Sequence, residues 1–376
     1  MRALDLIGGS AAGLVLAICL SGLVVPRSAK SRALPVSGAT LISDAHGALA
    51  EICIQYRQDF NPLVIETLSD LLQGLASDVD VRVIVASKKE FDFLKGELAR
   101  RHVARLGRLS AVVTGFPITP WARDRFGAMV AENRTVLAVP PARSNLPGPR
   151  GNDERVPEIL AASLSDATCL SLPFMFEGGD LLADEEHAFL SANCLARNSP
   201  DNIDDRPGLL RRMQGALHKP IVVIGETAED VPDHHICMFL TPLGDKTVAV
   251  ADPALGLALY QQSPSGEAVD VETDTTKYEP FQNVLRCMEQ QGYQVMHVPL
   301  LLTRTPRVYV SYNNVMLERR NGEKRVYMPV YGVPALDRAA GEVFATQGWR
   351  VIPVRVGKLY QQTGSLRCQV GIIRRR

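Results

Sequence analysis

The chain has 376 residues, and its 41 Lys and Arg balance 41 Asp and Glu, so the formal net charge is zero. Hydrophobic residues make up 46% and charged residues 22%, the make-up of a folded chain with material for a large core and not of a disordered one. A neutral chain lacks the basic footprint of a nucleic-acid binder, and Arg374-Arg375-Arg376 is too short a run to supply one.

In chain order, the first element is apolar. Leu6 to Val25 carries no charge and can cross a bilayer as a helix, which takes roughly 20 residues. Pro26 ends it, and Arg27, Lys30 and Arg32 follow. Residues 1–33 are therefore expected to be a signal peptide or membrane anchor, giving a membrane-associated or exported protein. The basic flank favours an anchor that faces the cytoplasm, whereas a cut after Ser28-Ala29 or Arg32-Ala33 would release the chain.

From residue 38 to 376 a single domain is expected. The spacing predicts a helix over Pro62–Leu75, a buried strand over Val81–Ala86, a helix over Glu90–Arg105 and a strand at Ala111–Val113. A hairpin follows over Phe126–Pro140, turning at Glu132-Asn133. Then the cadence repeats. A helix (Gly208–Leu217) and strand (Ile221–Ile224) precede a hairpin over Ile236–Ala251 that turns at Gly244-Asp245. A helix (Phe281–Gln290) and strand (Gln294–Val298) precede a hairpin over Val308–Tyr331 that turns at Asn321-Gly322. A helix (Ala335–Thr346) and strand (Arg350–Val354) close the series. A recurrence of this kind points to a radial α/β architecture. Three polar loops, Ala142–Arg155, Asn198–Pro207 and Gln262–Lys277, have the make-up of lids or substrate contacts.

Cysteines stand at 19, 53, 169, 194, 237, 287 and 368. None has CxxC spacing, and no cluster suggests a metal, so most read as small buried hydrophobes. Four segments carry chemistry at strand ends: Pro120-Trp121-Ala122-Arg123-Asp124, Phe176-Glu177-Gly178-Gly179-Asp180, Asp233-His234-His235-Ile236-Cys237 and Thr363-Gly364-Ser365-Leu366-Arg367-Cys368. Taken singly, each has a plain structural account. An ion pair, a turn carboxylate, a strand-end histidine and a core cysteine would do.

Together, in this order, they resemble the guanidino-group modifying superfamily, and above all its agmatine deiminase and Porphyromonas-type peptidylarginine deiminase family. Asn193-Cys194-Leu195-Ala196-Arg197-Asn198, Ser311-Tyr312-Asn313-Asn314 and Val330-Tyr331-Gly332-Val333-Pro334 with Asp337 extend the likeness over almost all of residues 40–376. The resemblance implies an α/β five-bladed propeller, the pentein fold, with pseudo-fivefold symmetry. It also implies hydrolysis of a guanidino substrate such as agmatine, arginine or an arginine side chain, without cofactor or metal. Cys368 would be the nucleophile, His235 the general acid and base, and Glu177 the carboxylate that contacts substrate and fixes the imidazole. Asp124 would clamp the guanidinium, while Trp121 and Arg123 shape the site. A guanidinium is planar, permanently charged and a poor electrophile, which is why carboxylates and a thiolate are needed together.

The pattern also departs. Cys237 stands where the family has a substrate-binding aspartate, Ser365 in place of a glycine, and Arg367 in place of the histidine before the nucleophile. As substrate-contact positions, Cys237 and Arg367 weaken the clamp, and Arg367 paired to Asp124 would make the chain a tethered binding module. An empty acidic pocket would favour the enzyme. Amidino transfer to an acceptor amine uses the same thiol chemistry. The family fold further implies that Cys237 and Cys368 lie within reach of each other, so a disulfide could silence the site in an oxidising compartment.

Overall fold

The fold is taken from a computed structural model that describes residues 38–132, 134–143, 146–198, 205–262 and 269–376. The apolar segment at 6–25, expected to be a signal or anchor, lies outside the described residues. Among those described, no helix is long and apolar enough to cross a membrane.

The helix Asn61–Gly74 shows how the elements form. Pro62 sits in its first turn, where a missing N–H costs nothing, and Val64, Ile65, Leu68, Leu71 and Leu72 recur on one buried face. The helix ends where Leu75 turns extended. Glu279–Gln290 repeats this with Phe281, Val284, Leu285 and Met288. Lys88–Arg100 begins at Ser87, whose side chain accepts from the Glu90 N–H, and it stops short of the expected Arg105. His102, in the left-handed region at φ 57°, turns the chain away there.

Five separate sheets form among the described residues. Each is built from the same unit, an antiparallel strand pair, one or two helices, then a strand parallel to the second of the pair. Gly127–Ala131 and Arg134–Val139 pair antiparallel, and Ala167–Ser171 joins in parallel. Leu182–Ala183, Ala188–Ser191 and Ile221–Ile224 follow suit. So do Leu240–Gly244, Thr247–Asp252 and Gln294–Leu302, and then Met316–Arg320, Glu323–Val330 and Trp349–Arg355. The fifth unit joins the two ends of the domain. Val370–Arg375 pairs antiparallel with Leu49–Gln55, which runs parallel to Asp80–Val85, itself parallel to Leu109–Val113. Ala48 and Arg376 exchange both backbone hydrogen bonds at 2.9 Å.

Two expected hairpins are redrawn. Val308–Tyr331 divides, because Tyr309–Ser311 pairs back onto Gln294–Leu302 and only Met316–Val330 turns on itself. Its turn holds Asn321 and Gly322 at φ 52° and 81°, as a tight two-residue hairpin loop demands. The pair expected from Ile236 starts only at Leu240, since Ile236–Met238 is a single 3-10 turn.

That turn is one of a set. Immediately before the strand that opens each unit lies a short turn carrying polar residues: Trp121–Asp124 before Gly127, Glu177–Asp180 before Leu182, His235–Met238 before Leu240, Asn313-Asn314 before Met316, and Arg367–Gln369 before Val370. All five opening strands are largely buried, so these turns come from equivalent places in the repeat.

Candidate active site

Backbone bonds tie the turns together. The Arg123 N–H donates to the Cys368 carbonyl at 3.2 Å, and the Gly178 N–H to the Asp124 carbonyl at 3.0 Å. Asn314 does the same with its side chain. Its Oδ1 accepts from the N–H groups of Arg367 at 2.8 Å and Cys368 at 3.3 Å, while its Nδ2 lies 3.4 Å from Cys368 Sγ and 3.5 Å from Cys237 Sγ.

Two glycines are needed for close approach. A Cβ on Gly179 would fall 2.5 Å from His235 Nδ1, and one on Gly364 would fall 2.5 Å from the Trp121 ring. Ser365 keeps its hydroxyl bonded to Tyr331 Oη at 2.6 Å. The tyrosine proton goes to the Ser311 carbonyl at 2.9 Å, so Ser365 is the donor.

The turns meet at a cavity of about 380 Å³, lined by Thr119, Trp121, Asp124, Arg150, Glu177, His234, His235, Thr363 and Cys368. Of the residues expected from sequence, Trp121, Asp124, Glu177, His235 and Cys368 line it. Cys237 and Arg367, expected as substrate contacts, are not among its lining residues. Cys237 is packed among apolar side chains behind Cys368, with Asn314 against it. Arg367 turns away from the cavity, bonding the Val370 carbonyl and lying 3.5 Å from Asp44. It makes no pair with Asp124.

An arginine does occupy the carboxylates, and it is Arg150. Its guanidinium donates to Asp124 Oδ2 at 2.5 Å and to Glu177 Oε1 at 2.7 Å. Sequence reasoning marked the Ala142–Arg155 loop but not this residue. The signal was there in the arginines of a loop otherwise rich in Pro and Gly. The loop is pinned by Asp153, which is fully buried and accepts from the Thr119 N–H at 2.9 Å and hydroxyl at 2.5 Å. Arg143 reaches Glu177 Oε1 at 3.3 Å, and Arg125 lies behind it at 4.0 Å.

The electrostatics follow from this crowding. Glu177 Oε2 lies 2.6 Å from His235 Nε2. Burial works against a charged His235, but the carboxylates of Asp180, Glu177 and Asp124 outweigh it and raise the imidazole to about 9. Burial likewise opposes the Glu177 charge, and the bond to His235 with the nearby Arg150 and Arg125 holds the carboxyl well below its usual range. Cys368 is lowered to about 7, chiefly because the Cys237 thiol hydrogen-bonds to its sulfur. Cys237 itself is pushed well above the thiol range by the same bond and by burial, so the pair sheds one proton readily and holds the second. The cavity thus presents a thiolate, an imidazolium and two carboxylates around a guanidinium.

Among the described residues, no His, Cys, Asp and Glu group could hold a metal. A sequence model of the Porphyromonas-type peptidyl-arginine deiminase family matches residues 56–370. No curated protein matches in sequence. Among solved structures, agmatine deiminase of C. jejuni is 16% identical with a TM-score of 0.67, over 90% of this chain and 98% of that one. Its cysteine-to-serine variant with substrate bound is 15% identical, TM-score 0.65, over 90% and 97%. Agmatine deiminase of Enterococcus faecalis is 13% identical, TM-score 0.66, over 90% and 96%. At these identities the likeness shows a shared mixed α/β fold.

Proposed function

The chain belongs to the Porphyromonas-type peptidyl-arginine deiminase family, and we propose that it hydrolyses a guanidino group to a ureido group with release of ammonia. The five units are then the blades of an α/β propeller, with the five turns gathered at one end of its axis. One observation carries the reading: the Asp124 and Glu177 pair already holds a guanidinium, that of Arg150, in the cavity that Cys368 and His235 line.

Substrate takes the place of the Arg150 head group. The Cys368 thiolate adds to the central guanidino carbon, and the His235 imidazolium gives its proton to the departing nitrogen, which leaves as ammonia. His235, now neutral, takes a proton from water, whose oxygen adds to the S-bound amidino carbon. The carbon–sulfur bond breaks, Cys368 returns as thiolate, and the protonated ureido product gives its extra proton to water, where ammonia takes it up. Glu177 aligns the imidazole, and Asp124 with Glu177 balances the substrate's charge.

The paired Arg150 also favours a second reading, in which the site stays shut and the propeller serves as a binding module. Ammonia and ureido release by the purified full chain, in reductant, against agmatine, arginine and a peptidyl arginine separates the two. Turnover that Cys368→Ala abolishes supports the hydrolase. Silence on all three from a folded protein supports the module.

A further inference from the structure

Arg367 is the departure from the family pattern that this chemistry leaves unused. Its side chain lies with Arg123 and Arg375 around one carboxylate. Asp44 Oδ1 is 3.7 Å from Arg123 Nη1 and 3.5 Å from Arg367 Nη2, whereas Arg375 reaches only the Asp44 carbonyl, at 2.8 Å. Their other partners are carbonyls: Leu181 for Arg123, Val370 for Arg367, and Gly47 and Leu317 for Arg375. Carbonyls satisfy N–H groups without supplying charge. Glu318, the next carboxylate, is bound to Arg320 at 2.6 Å and to the Tyr327 hydroxyl at 2.9 Å.

Arg320 also pairs with Asp78 at 2.8 Å, so four guanidiniums here face three carboxylates, an excess of one positive charge at a largely buried place. Arg123 and Arg367 are only 4% and 7% exposed. Burial, with Arg123 close by, pushes Arg367 down to about 9, and burial pushes Arg375 to about 10. Guanidinium groups remain charged through neutral pH all the same, so a mobile counter-charge is favoured here.

There is room for one. Arg123, Arg367, Arg375 and Asp44 line a cavity of about 30 Å³ with Phe126 and Leu181 among its apolar walls. By the same measure one water needs roughly 10–15 Å³. The buried Nε groups of Arg123 and Arg375 have no hydrogen-bond partner among the described residues. A wider pocket of about 460 Å³ shares Leu41, Ile42, Ser43 and Arg375 with this cavity. Arg134, Lys219, Arg374 and Arg376 line it with Glu185 as its acidic side chain, Arg374 and Arg376 being paired to Asp166 and Asp78.

We propose that the chain binds a small inorganic anion, chloride in size, between Arg123, Arg367 and Arg375. The ion sits behind the nucleophile, and Arg367 serves it instead of the substrate.

Two measurements on the full chain test this, neither of them activity. Crystals grown in about 100 mM bromide are to be examined for anomalous scattering, and thermal unfolding compared in chloride and gluconate at matched ionic strength. A bromide peak between the three guanidiniums is expected, with a saturable, chloride-specific rise in Tm of about 2 °C, the shift for a ligand near ten times its Kd on a chain this long. Arg375→Gln removes that rise. If the variant does not fold, the peak and the salt comparison on the unaltered chain decide. No peak, a peak only at molar bromide, or equal Tm in both salts overturns the site.

Discussion

Arg150 and Asp124 form a 2.5 Å ion pair inside the cavity that Cys368 lines. A substrate guanidinium must compete for the same oxygens, so only molecules with Arg150 swung out accept it. Arg150 is 29% exposed at its side chain, enough to leave without unfolding the loop that Asp153 anchors. Arg150→Ala therefore lowers KM for agmatine about 3- to 10-fold and leaves kcat unchanged, because the competent fraction rises to one. Steady-state kinetics check it. A raised KM would place Arg150 among the groups that hold substrate.

The pH profile of kcat/KM should be bell-shaped. Its acid limb follows ionisation of Cys368 near about 7, and its alkaline limb follows loss of the His235 proton near about 9. Glu177→Gln removes a carboxylate that favours the imidazolium, so the alkaline limb moves down towards the ordinary histidine value and the rate falls roughly 100-fold. Stability follows the same sign. A histidine raised on folding stabilises fully below its unfolded pKa of about 6.5, and that contribution is lost as pH rises through about 9. A profile identical in Glu177→Gln and the unaltered chain would deny Glu177 any hold on His235.

Which parts of this were readable from sequence depends on where the residues sit. Asp124, Glu177, His235 and Cys368 were legible through the order of four short motifs that resemble a known family, since singly each polar group in a turn has a plain structural account. Arg150 was not, since its role depends on a loop folding back over the turn that opens its own unit and the turn that opens the next. The strand Leu49–Gln55 was missed because Glu51 and Gln55 interrupt its apolar run. Both are buried and matched at long range, Glu51 to Arg82 at 2.6 Å and Gln55 to the Thr119 carbonyl at 2.7 Å. Cys237 and Arg367 were assigned to the substrate by position in a motif. Side-chain direction, which a motif does not carry, sends Arg367 to Asp44 and buries Cys237 behind Cys368.

Gly179 offers a test of imidazole placement that leaves every ionisable group in the chain. An alanine methyl there would stand 2.5 Å from His235 Nδ1, 2.8 Å from its Cγ and 3.0 Å from its Cβ, so the whole side chain has to shift and the ring moves off Glu177. Gly179→Ala should cost roughly 100-fold in kcat, as a misplaced acid and base does, while alkylation of Cys368 by iodoacetamide continues. Loss of alkylation together with turnover would mean the whole site had come apart.

Cys237 and Cys368 supply the last prediction. One amide, Asn314 Nδ2, lies 3.5 Å from the first sulfur and 3.4 Å from the second, and both thiols are free. Diamide takes two electrons and both protons from such a dithiol, becoming a hydrazine as the sulfur–sulfur bond forms. The attack comes from Cys368, the thiol lowered to about 7, and Cys237 is the partner it reaches. Diamide should stop turnover, dithiothreitol should restore it, and peptide mapping should recover a Cys237–Cys368 link. Cys237→Ser keeps a hydrogen-bond donor to the Cys368 sulfur but no second sulfur, so it should turn over before diamide is added and yield no disulfide at Cys368 afterwards. If Cys368 of Cys237→Ser is recovered disulfide-bonded to another cysteine, or the unaltered chain yields no Cys237–Cys368 link, this pair is no switch.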